Sequence, residues 1–474
     1  MGTLFGALNS SVSALDAYQN ALNVVQENVS NASTPGYANQ TPTFIAQPFN
    51  LSEGLIGGVN AGPTQSSDNH YADQAVQNQL SLLGNYTAQS TALSPIQGLF
   101  DVTGQTGVIG ALNNLFQSFS AWAATPESSS DQQAVLSQAS QLAQAFNSAA
   151  GTLSQTTTQL NQQINSTVEQ INSLAGQIAT DNASLAQSNQ PNAGVQANIE
   201  ASLESLSKLA NVSVTFSPDG EATVLLAGQT ALVTGTQQYS IQASFNNVAS
   251  AGNPNATPDA EILDAAGEDI AGQVTQGTLG GLLNVRNTVI PSLQGDSQQQ
   301  GALNILAQQV ADRVNAILTS GTTPDGSPGT ELFTYNTSTP VDVAATLAVN
   351  PAITAAGLAP ANGSSGNGTA LQLADLGDST APTDTIAGLS INQYAAATAT
   401  QVGQQAANAQ NGQTIQTQLV SQAQAVQTQI SGVNLNAEAA LVIQLQQGYD
   451  AAGKVINVID SLATTLINMI PATA

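Results

Sequence analysis

The chain has 474 residues, with 30 acidic side chains against 4 basic ones, a formal net charge of −26 and no cysteine. Without cysteine there can be no disulfide scaffold, thiolate nucleophile or cysteine-ligated metal, and the negative charge opposes binding to nucleic acid or anionic lipid. Membrane insertion is not expected either, because no stretch reaches the roughly 20 apolar residues that a spanning helix needs.

The first segment has the pattern of an amphipathic helix. Apolar residues recur at alternating spacings of three and four, which is typical of a coiled-coil seam; its members are Leu4, Leu8, Leu15, Leu22, Val25 and Val29. No basic residue precedes them and no continuous apolar core follows, so a cleaved secretory signal peptide is not expected. Pro35 and Gly36 end the helix, because proline disfavours helix at Thr34 and glycine adopts conformations closed to other residues.

The middle of the chain predicts helices and one small β element. Apolar residues on one face from Leu153 to Leu185 predict a long helix, and residues 197–212 predict a helix that returns along it as a hairpin. The strand-like segments "VSVTF" and "EATVLLA" flank the turn sequence "SPDG" at 217–220, which predicts two paired strands.

Helical periodicity returns over residues 280–321, with an interruption near Pro291. Residues 336–370 are rich in Ala, Pro, Gly, Asn and Ser with little periodicity, so we expect a loosely structured insertion or linker there. From residue 391 the pattern is helical to the end of the chain. It includes a second heptad seam formed by Leu441, Leu445, Val455, Ile459, Leu462 and Leu466.

The predicted fold is mainly α: a long antiparallel helical or coiled-coil bundle formed by both termini, and a helical middle domain with a small β element. Apolar stripes at both ends could also face the core of one globular bundle, but their placement at the two extreme ends favours the terminal bundle as an assembly interface. The predicted division is 1–75 for the N-terminal half of the terminal helical domain, 76–335 for the middle domain with its β element near 212–245, 336–370 for a small insertion or linker, 371–404 for the return segment of the middle domain, and 405–474 for the C-terminal half of the terminal domain.

Two motifs at opposite ends of the chain carry a family resemblance. In "ENVSNASTPGYANQ" the matching residues are Asn28, Asn31, Thr34, Pro35, Gly36 and Tyr37. In the segment that begins "SGVNLNAEAALV" they are Ser431, Gly432, Val433, Asn434, Leu435 and Glu438. Together they resemble the N- and C-terminal motifs of the bacterial flagellar axial proteins, the rod, hook and hook-associated group. Glu27 and Asn39 depart from the family pattern, at positions where an asparagine and a basic residue are usual.

Three interior stretches resemble the hook-associated proteins of the hook–filament junction: "GTLGGLLNVRN" at 277–287, "PDGSPGTELF" at 324–333 and "VDVAATLAVNP" at 341–351. The resemblance implies a structural subunit that self-associates in a ring or helical array and links the hook protein to a second junction protein. It also implies an extracellular place in the flagellum, reached by type III export, with an export chaperone on the C-terminal helix. Another flagellar axial protein, such as the hook protein or second junction protein, and a secreted adhesin or S-layer-like surface protein are the alternatives.

Residue types that would support catalysis or metal binding are sparse. His70 is the single histidine, so a multi-histidine site is excluded, and we expect it at the surface or in a loop. The acidic residues are dispersed singly, unlike those of a calcium-binding loop, and "GTLGG" at 277–281 lacks the strand and lysine of a phosphate-binding loop. The sequence therefore predicts no catalytic, cofactor-binding or metal-binding residue, no cofactor and no enzymatic activity.

Overall fold

The computed structural model describes residues 2–50, 55–100, 106–187, 192–245, 259–296, 299–363 and 365–468. The helices in these ranges are α1 (Gly2–Asn31), α2 (His70–Gln97), α3 (Gly107–Ala124), α4 (Ser129–Gln187), α5 (Ala193–Leu209), α6 (Gly277–Asn284), α7 (Ile290–Gln294), α8 (Ala302–Ser320), α9 (Val343–Thr346), α10 (Gly368–Asp375), α11 (Ile391–Ser431) and α12 (Leu435–Asn468). The strands are β1 (Gln40–Thr41), β2 (Phe44–Asn50), β3 (Leu55–Ala61), β4 (Gln65–Ser66), β5 (Val212–Phe216), β6 (Ala222–Leu226), β7 (Thr230–Thr234), β8 (Gln237–Gln238), β9 (Gln242–Ser244), β10 (Glu261–Leu263), β11 (Phe333–Thr334) and β12 (Ala348–Val349). The predicted mainly helical fold with a small β element is confirmed.

The first and last helices, α1 and α12, pair in antiparallel orientation. Tyr18 lies against Gly448, where an added Cβ would be 2.8 Å from its ring, while Asn28 contacts Glu438, so the two helices run in opposite directions. Their shared core is small, with Ala21, Val25 and Leu445 buried and Tyr18, Leu22, Leu441 and Val442 packed around them. Alanine at the contact lets the two backbones approach closely, but it buries little apolar area.

A β-hairpin covers another side of α1. Strands β2 and β3 pair in antiparallel register, and the Phe44 ring packs on Tyr18 with 5.8 Å between the ring centroids. The predicted terminal helical domain of residues 1–75 is therefore not helical throughout, because strands β1 to β4 lie between residues 40 and 66. Pro42 and Pro48 explain the difference, because proline removes a backbone donor and clashes within a helix interior.

The core of the middle region is organised around α4, whose buried face includes Leu142, Phe146, Leu153, Leu160, Ile164, Ile171 and Ile178. Helix α5 returns along α4 as predicted. Strands β5 to β8 form an antiparallel sheet that packs on the same helix. The predicted β5–β6 hairpin is confirmed: Val214 lies opposite Val224, and Gly220 takes the positive φ of 86° that its turn requires.

Asparagine side chains on the helices hold the neighbouring loops and strands in place. Asn182 donates from Nδ2 to the Ala222 carbonyl (2.8 Å) and accepts from the Ala222 amide (2.9 Å). Asn172 makes the same pair of bonds with Ile241, and Asn287 makes it with Ala260. A side-chain amide offers the donor and acceptor of a peptide group, so each asparagine extends backbone pairing from a helix.

Residues 336–370 are better packed than the sequence indicates. Strand β12 lies within this stretch and pairs with β11, which lies just before it. Val343, Leu347 and Leu358 are buried in the main core. Asn147 on α4 donates to the carbonyls of Ala344 (2.8 Å) and Leu347 (3.2 Å). Asn304 on α8 likewise donates to the Val341 carbonyl and accepts from the Ala344 amide. The expectation of a loose linker is wrong because buried apolar side chains and these amide contacts fix a segment whose sequence lacks clear periodicity.

The long helices α2 and α11 pack side by side and connect the terminal pair to the middle region. The proposed domain boundaries after residues 75 and 404 fall inside α2 and α11 respectively. In the part of the chain that the structure describes, no helix has an apolar stretch long enough to cross a bilayer.

Candidate assembly site at the two chain ends

The turn that follows α1 is docked on α5. The Asn31 amide donates to the Glu27 carbonyl (3.1 Å) and its Oδ1 accepts from the Thr34 hydroxyl (3.3 Å), which closes the end of the helix. Gly36 has a φ of +75°, and an added Cβ would lie 2.5 Å from the Ala197 carbonyl oxygen on α5. Glycine is therefore required both for the backbone conformation and for the close approach to α5.

Asn28 is the centre of a buried polar network. It is fully buried; its Nδ2 donates to the Gln40 carbonyl (2.8 Å) and to Glu438 Oε2 (3.2 Å). Its Oδ1 accepts from the Gln40 amide (2.9 Å) and from the Tyr37 hydroxyl (3.0 Å). Burial first, then the charges of Glu27 and Glu438, raise the pKa of Tyr37 to about 12, so its hydroxyl remains a donor at neutral pH.

The motif at the other end of the chain meets this network. Helix α11 ends at Ser431, whose carbonyl accepts from the Asn39 amide (2.8 Å) and from the Ser67 hydroxyl (3.1 Å). Asn434 caps α12, because its Oδ1 accepts from the amides of residues 436 and 437. The two motifs form one contiguous unit, residues 28–40 and 431–438, which we call the terminal junction.

The structure distributes the predicted motif and seam residues over several environments. In the family motifs Asn28, Tyr37, Ser431 and Glu438 are buried, Asn31, Gly36, Gly432 and Val433 are half-buried, and Thr34, Pro35, Asn434 and Leu435 are exposed. In the predicted assembly seams Val25, Leu445 and Ile459 are buried, Leu4, Leu8, Leu15, Leu22 and Leu441 are half-buried, and Val29, Val455, Leu462 and Leu466 are exposed. The role of the seam residues in assembly remains a prediction.

The terminal helix pair carries a large exposed apolar surface. On α12 the exposed residues are Ile443, Tyr449, Val455, Val458, Leu462 and Leu466; on α1 and the hairpin they are Phe5, Val12, Phe44, Ile45 and Phe49. Residues 455, 458, 462 and 466 share one face of α12, because their spacing follows the helical repeat. A contiguous apolar surface of this kind is typical of a protein–protein contact.

Sequence reasoning missed several residues in or next to the terminal junction. Gln40 and Asn39 contribute backbone groups, which every non-proline residue carries, so nothing in their side chains marks the role. Ser67 contributes a hydroxyl that resembles any of the many other serine hydroxyls in this chain. The exposed hairpin residues Phe44 and Phe49 could have been found, because exposed aromatic side chains flanked by prolines are unusual in a helix.

An acidic cluster lies beside the terminal junction, which corrects the expectation that the acids are dispersed singly. Asp68 lies just before α2, His70 and Asp73 lie in its first turn, and Glu200 approaches from α5. Each offers a ligand atom within 4.8 Å of the others. His70 is exposed as predicted, and its ring stacks on Phe216 with 4.4 Å between centroids. This group has the donor types that could hold a metal ion.

Two carboxyls of the cluster, Glu200 and Asp73, have strongly raised pKa values. Burial, followed by the negative charges of Asp73, Asp68 and Glu204, raises the pKa of Glu200 to about 9. Burial also raises the pKa of Asp73 to about 7. The hydrogen bond from Gln427 lowers this pKa, whereas Asp68 and Glu204 raise it further. The described charges that act on both groups are all acidic, so these carboxyls resist ionisation in the absence of a cation.

Two family models match the chain. One, described as the flagellar hook-associated protein FlgK helical domain, covers residues 93–333, half of the chain. The other, described as flagella basal body rod protein, covers residues 8–37, which include most of α1 and the turn after it.

Curated relatives and a solved structure point to the same group. Flagellar hook-associated protein 1 of Salmonella typhimurium is 29% identical over 337 residues, an alignment that covers 69% of this chain and 59% of that protein. The chain thus spans less than two thirds of the Salmonella relative, whereas the Bacillus subtilis protein of the same name is 24% identical with 99% of both chains covered. The flagellar hook junction protein FlgK from Burkholderia pseudomallei has a similar fold, with a TM-score of 0.62 and 17% identity over 75% of this chain and 99% of that one.

Proposed function

Because the chain belongs to the flagellar hook-associated protein FlgK family, we propose that it is a self-assembling subunit of the junction between hook and filament. As a member of this family it is a structural protein of the bacterial flagellum. In the proposed role, copies associate through the terminal helix pair and form a ring or helical array. In this role the protein would attach the filament to the hook and would not catalyse a reaction.

The exposed apolar surface on α1, α12 and the hairpin is the observation that supports this proposal. The terminal pair buries a small core of Ala21, Val25 and Leu445, while large side chains such as Phe5 and Leu462 remain exposed. A neighbouring copy that covers this apolar area would stabilise the association of the two copies, because burial of apolar surface is favourable. Helix packing against adjacent subunits would therefore complete the seams that one chain leaves open.

The middle region supports the proposal in a different way. Its core is one continuous apolar cluster from α2 to α11, so we expect it to fold independently of assembly. The hook protein on one side and a second junction protein on the other are the proposed neighbours along the flagellar axis. Extracellular location after type III export without a cleaved signal peptide belongs to the same proposal.

An export chaperone is the proposed partner before assembly. The apolar face at residues 441–470 would promote premature association inside the cell unless another protein covered it; the structure describes this segment to residue 468. Deletion of residues 441–474 should then abolish co-purification with the chaperone. Undiminished co-purification would place the chaperone site elsewhere.

Replacement of two outward-facing residues tests the assembly role. The double variant Leu462→Ser/Leu466→Ser removes apolar area from α12 without touching the buried Leu445, so the thermal unfolding of the middle region should not change. In cells that lack their own copy, this variant should be exported but should fail to join filaments to hooks. Leu371→Ser is the matched control, because Leu371 is equally exposed but lies on α10 of the middle region. Normal filament attachment by the double variant would contradict the proposal.

A further inference from the structure

The cluster formed by Asp68, His70, Asp73 and Glu200 has the geometry of a metal site. Its three carboxylates and one imidazole offer ligand atoms that all lie within 4.8 Å of one another. Zinc binds carboxylate oxygen at about 2.0–2.2 Å and imidazole nitrogen at about 2.0–2.1 Å, so two ligands of one ion lie at most about 4.4 Å apart. Small side-chain rotations would bring the four atoms onto a single ion.

Local structure fixes the donors in position. Asn69 caps α2 by accepting hydrogen bonds from the amides of residues 71 and 72, which holds Asp68, His70 and Asp73 around one helix start. Stacking on Phe216 orients the His70 ring. Glu200 is held on α5 directly beside the docked turn, since an added Cβ at Gly36 would be 3.0 Å from Glu200 Cβ.

Two of the carboxylates have buried oxygen atoms that lack a partner. Asp73 and Glu200 are 5% and 7% exposed, and within the described part of the chain Asp73 Oδ2 and Glu200 Oε2 accept no hydrogen bond. Gln427 satisfies the other oxygen of Asp73, at 2.8 Å. Buried carboxylate oxygens without donors are costly, and a cation is the ligand that would satisfy both at once.

We propose that Asp68, His70, Asp73 and Glu200 bind one divalent transition-metal ion, with zinc as the expected occupant. Imidazole nitrogen favours zinc over magnesium or calcium, and carboxylate oxygens are accepted zinc ligands. Asp68 and Glu200 line a cavity of about 640 Å³ that also contains His70 and is open to solvent, which gives the ion a path to the site.

The bound ion would connect the start of α2 to α5 at the place where the turn with Gly36 docks. It would therefore stiffen the attachment of the terminal helix pair to the middle region. The binding site itself does not depend on the proposed assembly role, so a binding measurement on the purified full-length chain tests it separately.

Calorimetric titration of the metal-free chain with zinc chloride tests the proposal. The parent should bind one equivalent and unfold at a higher temperature in its presence, because a ligand of the folded state stabilises it by mass action. Glu200→Gln, a neutral isostere, and His70→Ala, at a side chain that is 57% exposed, should each weaken binding by at least about tenfold. Thermal unfolding of each variant without zinc checks that it still folds.

Glu204→Gln is the matched control. Glu204 lies on the same helix as Glu200 and accepts from the Gln427 side-chain amide that also donates to Asp73. It is outside the donor set, so its loss should weaken binding by less than about threefold through screened charge alone. The proposal is overturned if the parent shows no saturable zinc binding, or if calcium and magnesium bind as tightly as zinc. It is also overturned if Glu204→Gln weakens binding as much as Glu200→Gln, because diffuse attraction by surface acids would then explain the signal.

Discussion

Asn28 in the first helix donates a hydrogen bond to Glu438 in the last helix, with 3.2 Å between Nδ2 and Oε2, although 410 positions separate them in the chain. Both residues are buried, and both belong to the motifs that carry the family resemblance. The two motifs are thus halves of one structural unit rather than independent features. The helix pair and the turn after α1 are joined through this contact.

Replacement of Asn28 by alanine should loosen the whole terminal junction. The change leaves the Gln40 amide and carbonyl, the Tyr37 hydroxyl and Glu438 without their partner, and a buried polar group left unpaired costs about 1–3 kcal/mol. We expect faster hydrogen exchange at the Asn39 amide, which bonds to the Ser431 carbonyl and not to Asn28. An acceleration of at least about tenfold corresponds to 1.4 kcal/mol of local stability.

Asn31→Ala provides the comparison for Asn28→Ala. Asn31 bonds to Glu27 and Thr34 within its own turn, so its loss should leave exchange at Asn39 nearly unchanged. If Asn28→Ala also left Asn39 unaffected, the contacts of the two motifs would be energetically independent.

Gly36→Ala should release the turn from α5. Positive φ alone costs a non-glycine residue about 1–2 kcal/mol, and here the new Cβ would also lie 2.5 Å from the Ala197 carbonyl oxygen. Gly326→Ala separates the two effects, because Gly326 has a φ of +89° with nothing within 4 Å of the added Cβ. Limited proteolysis should cut the turn at 33–38 at least about tenfold faster in Gly36→Ala than in the parent. Equal resistance of the two variants would mean that the docking contact is unimportant.

Much of the helical architecture could be predicted from periodicity, and the β5–β6 hairpin from the "SPDG" turn between apolar strands. The buried face of α1 is harder to predict, because it contains Ala17 and Ala21, which are only weakly hydrophobic. The more hydrophobic leucines of this helix are only half-buried. The family motif includes Asn28, but its burial could not be predicted, because only tertiary contacts bury this asparagine and leave Asn20 exposed. The acidic cluster was hidden because Glu200 reaches Asp73 from another helix far along the chain.

Protonation of Asp384 should weaken the attachment of the segment before α11 to α8. Burial alone would raise the pKa of Asp384, but the Ser379 hydrogen bond and the Arg313 charge outweigh it and hold that pKa below its ordinary 3.8. A carboxyl with a lowered pKa stabilises the fold above its ordinary value, and this stabilisation is lost as the pH falls through the lowered pKa.

The variant Asp384→Asn checks this pH dependence. Arg313 approaches Asp384 Oδ1 at 2.7 Å, and hydrogen bonds to charged groups contribute about 1.5–3 kcal/mol, so urea unfolding at pH 7 should show a loss of that order. The difference between parent and variant should be constant above about pH 4 and shrink at lower pH. A constant difference down to pH 2 would show that another interaction is responsible.

The terminal helices should become stably ordered when subunits assemble. In one chain α1 and α12 share the small core of Ala21, Val25 and Leu445, and isolated helices are marginal in water even with good helix formers. Helix α1 also contains several poor helix formers, namely Asn9, Ser10, Ser11, Ser13, Asn20 and Asn23. Such coupling of folding to assembly would suit the proposed export of an unfolded chain that should not polymerise early. Hydrogen exchange on the dilute full-length chain should show amides across residues 4–29 exchanging at least about a hundredfold faster than those in the buried stretch of α4, with protection appearing on assembly. Protection across residues 4–29 that equals that of α4 in the dilute chain would contradict this prediction and favour a prefolded surface protein.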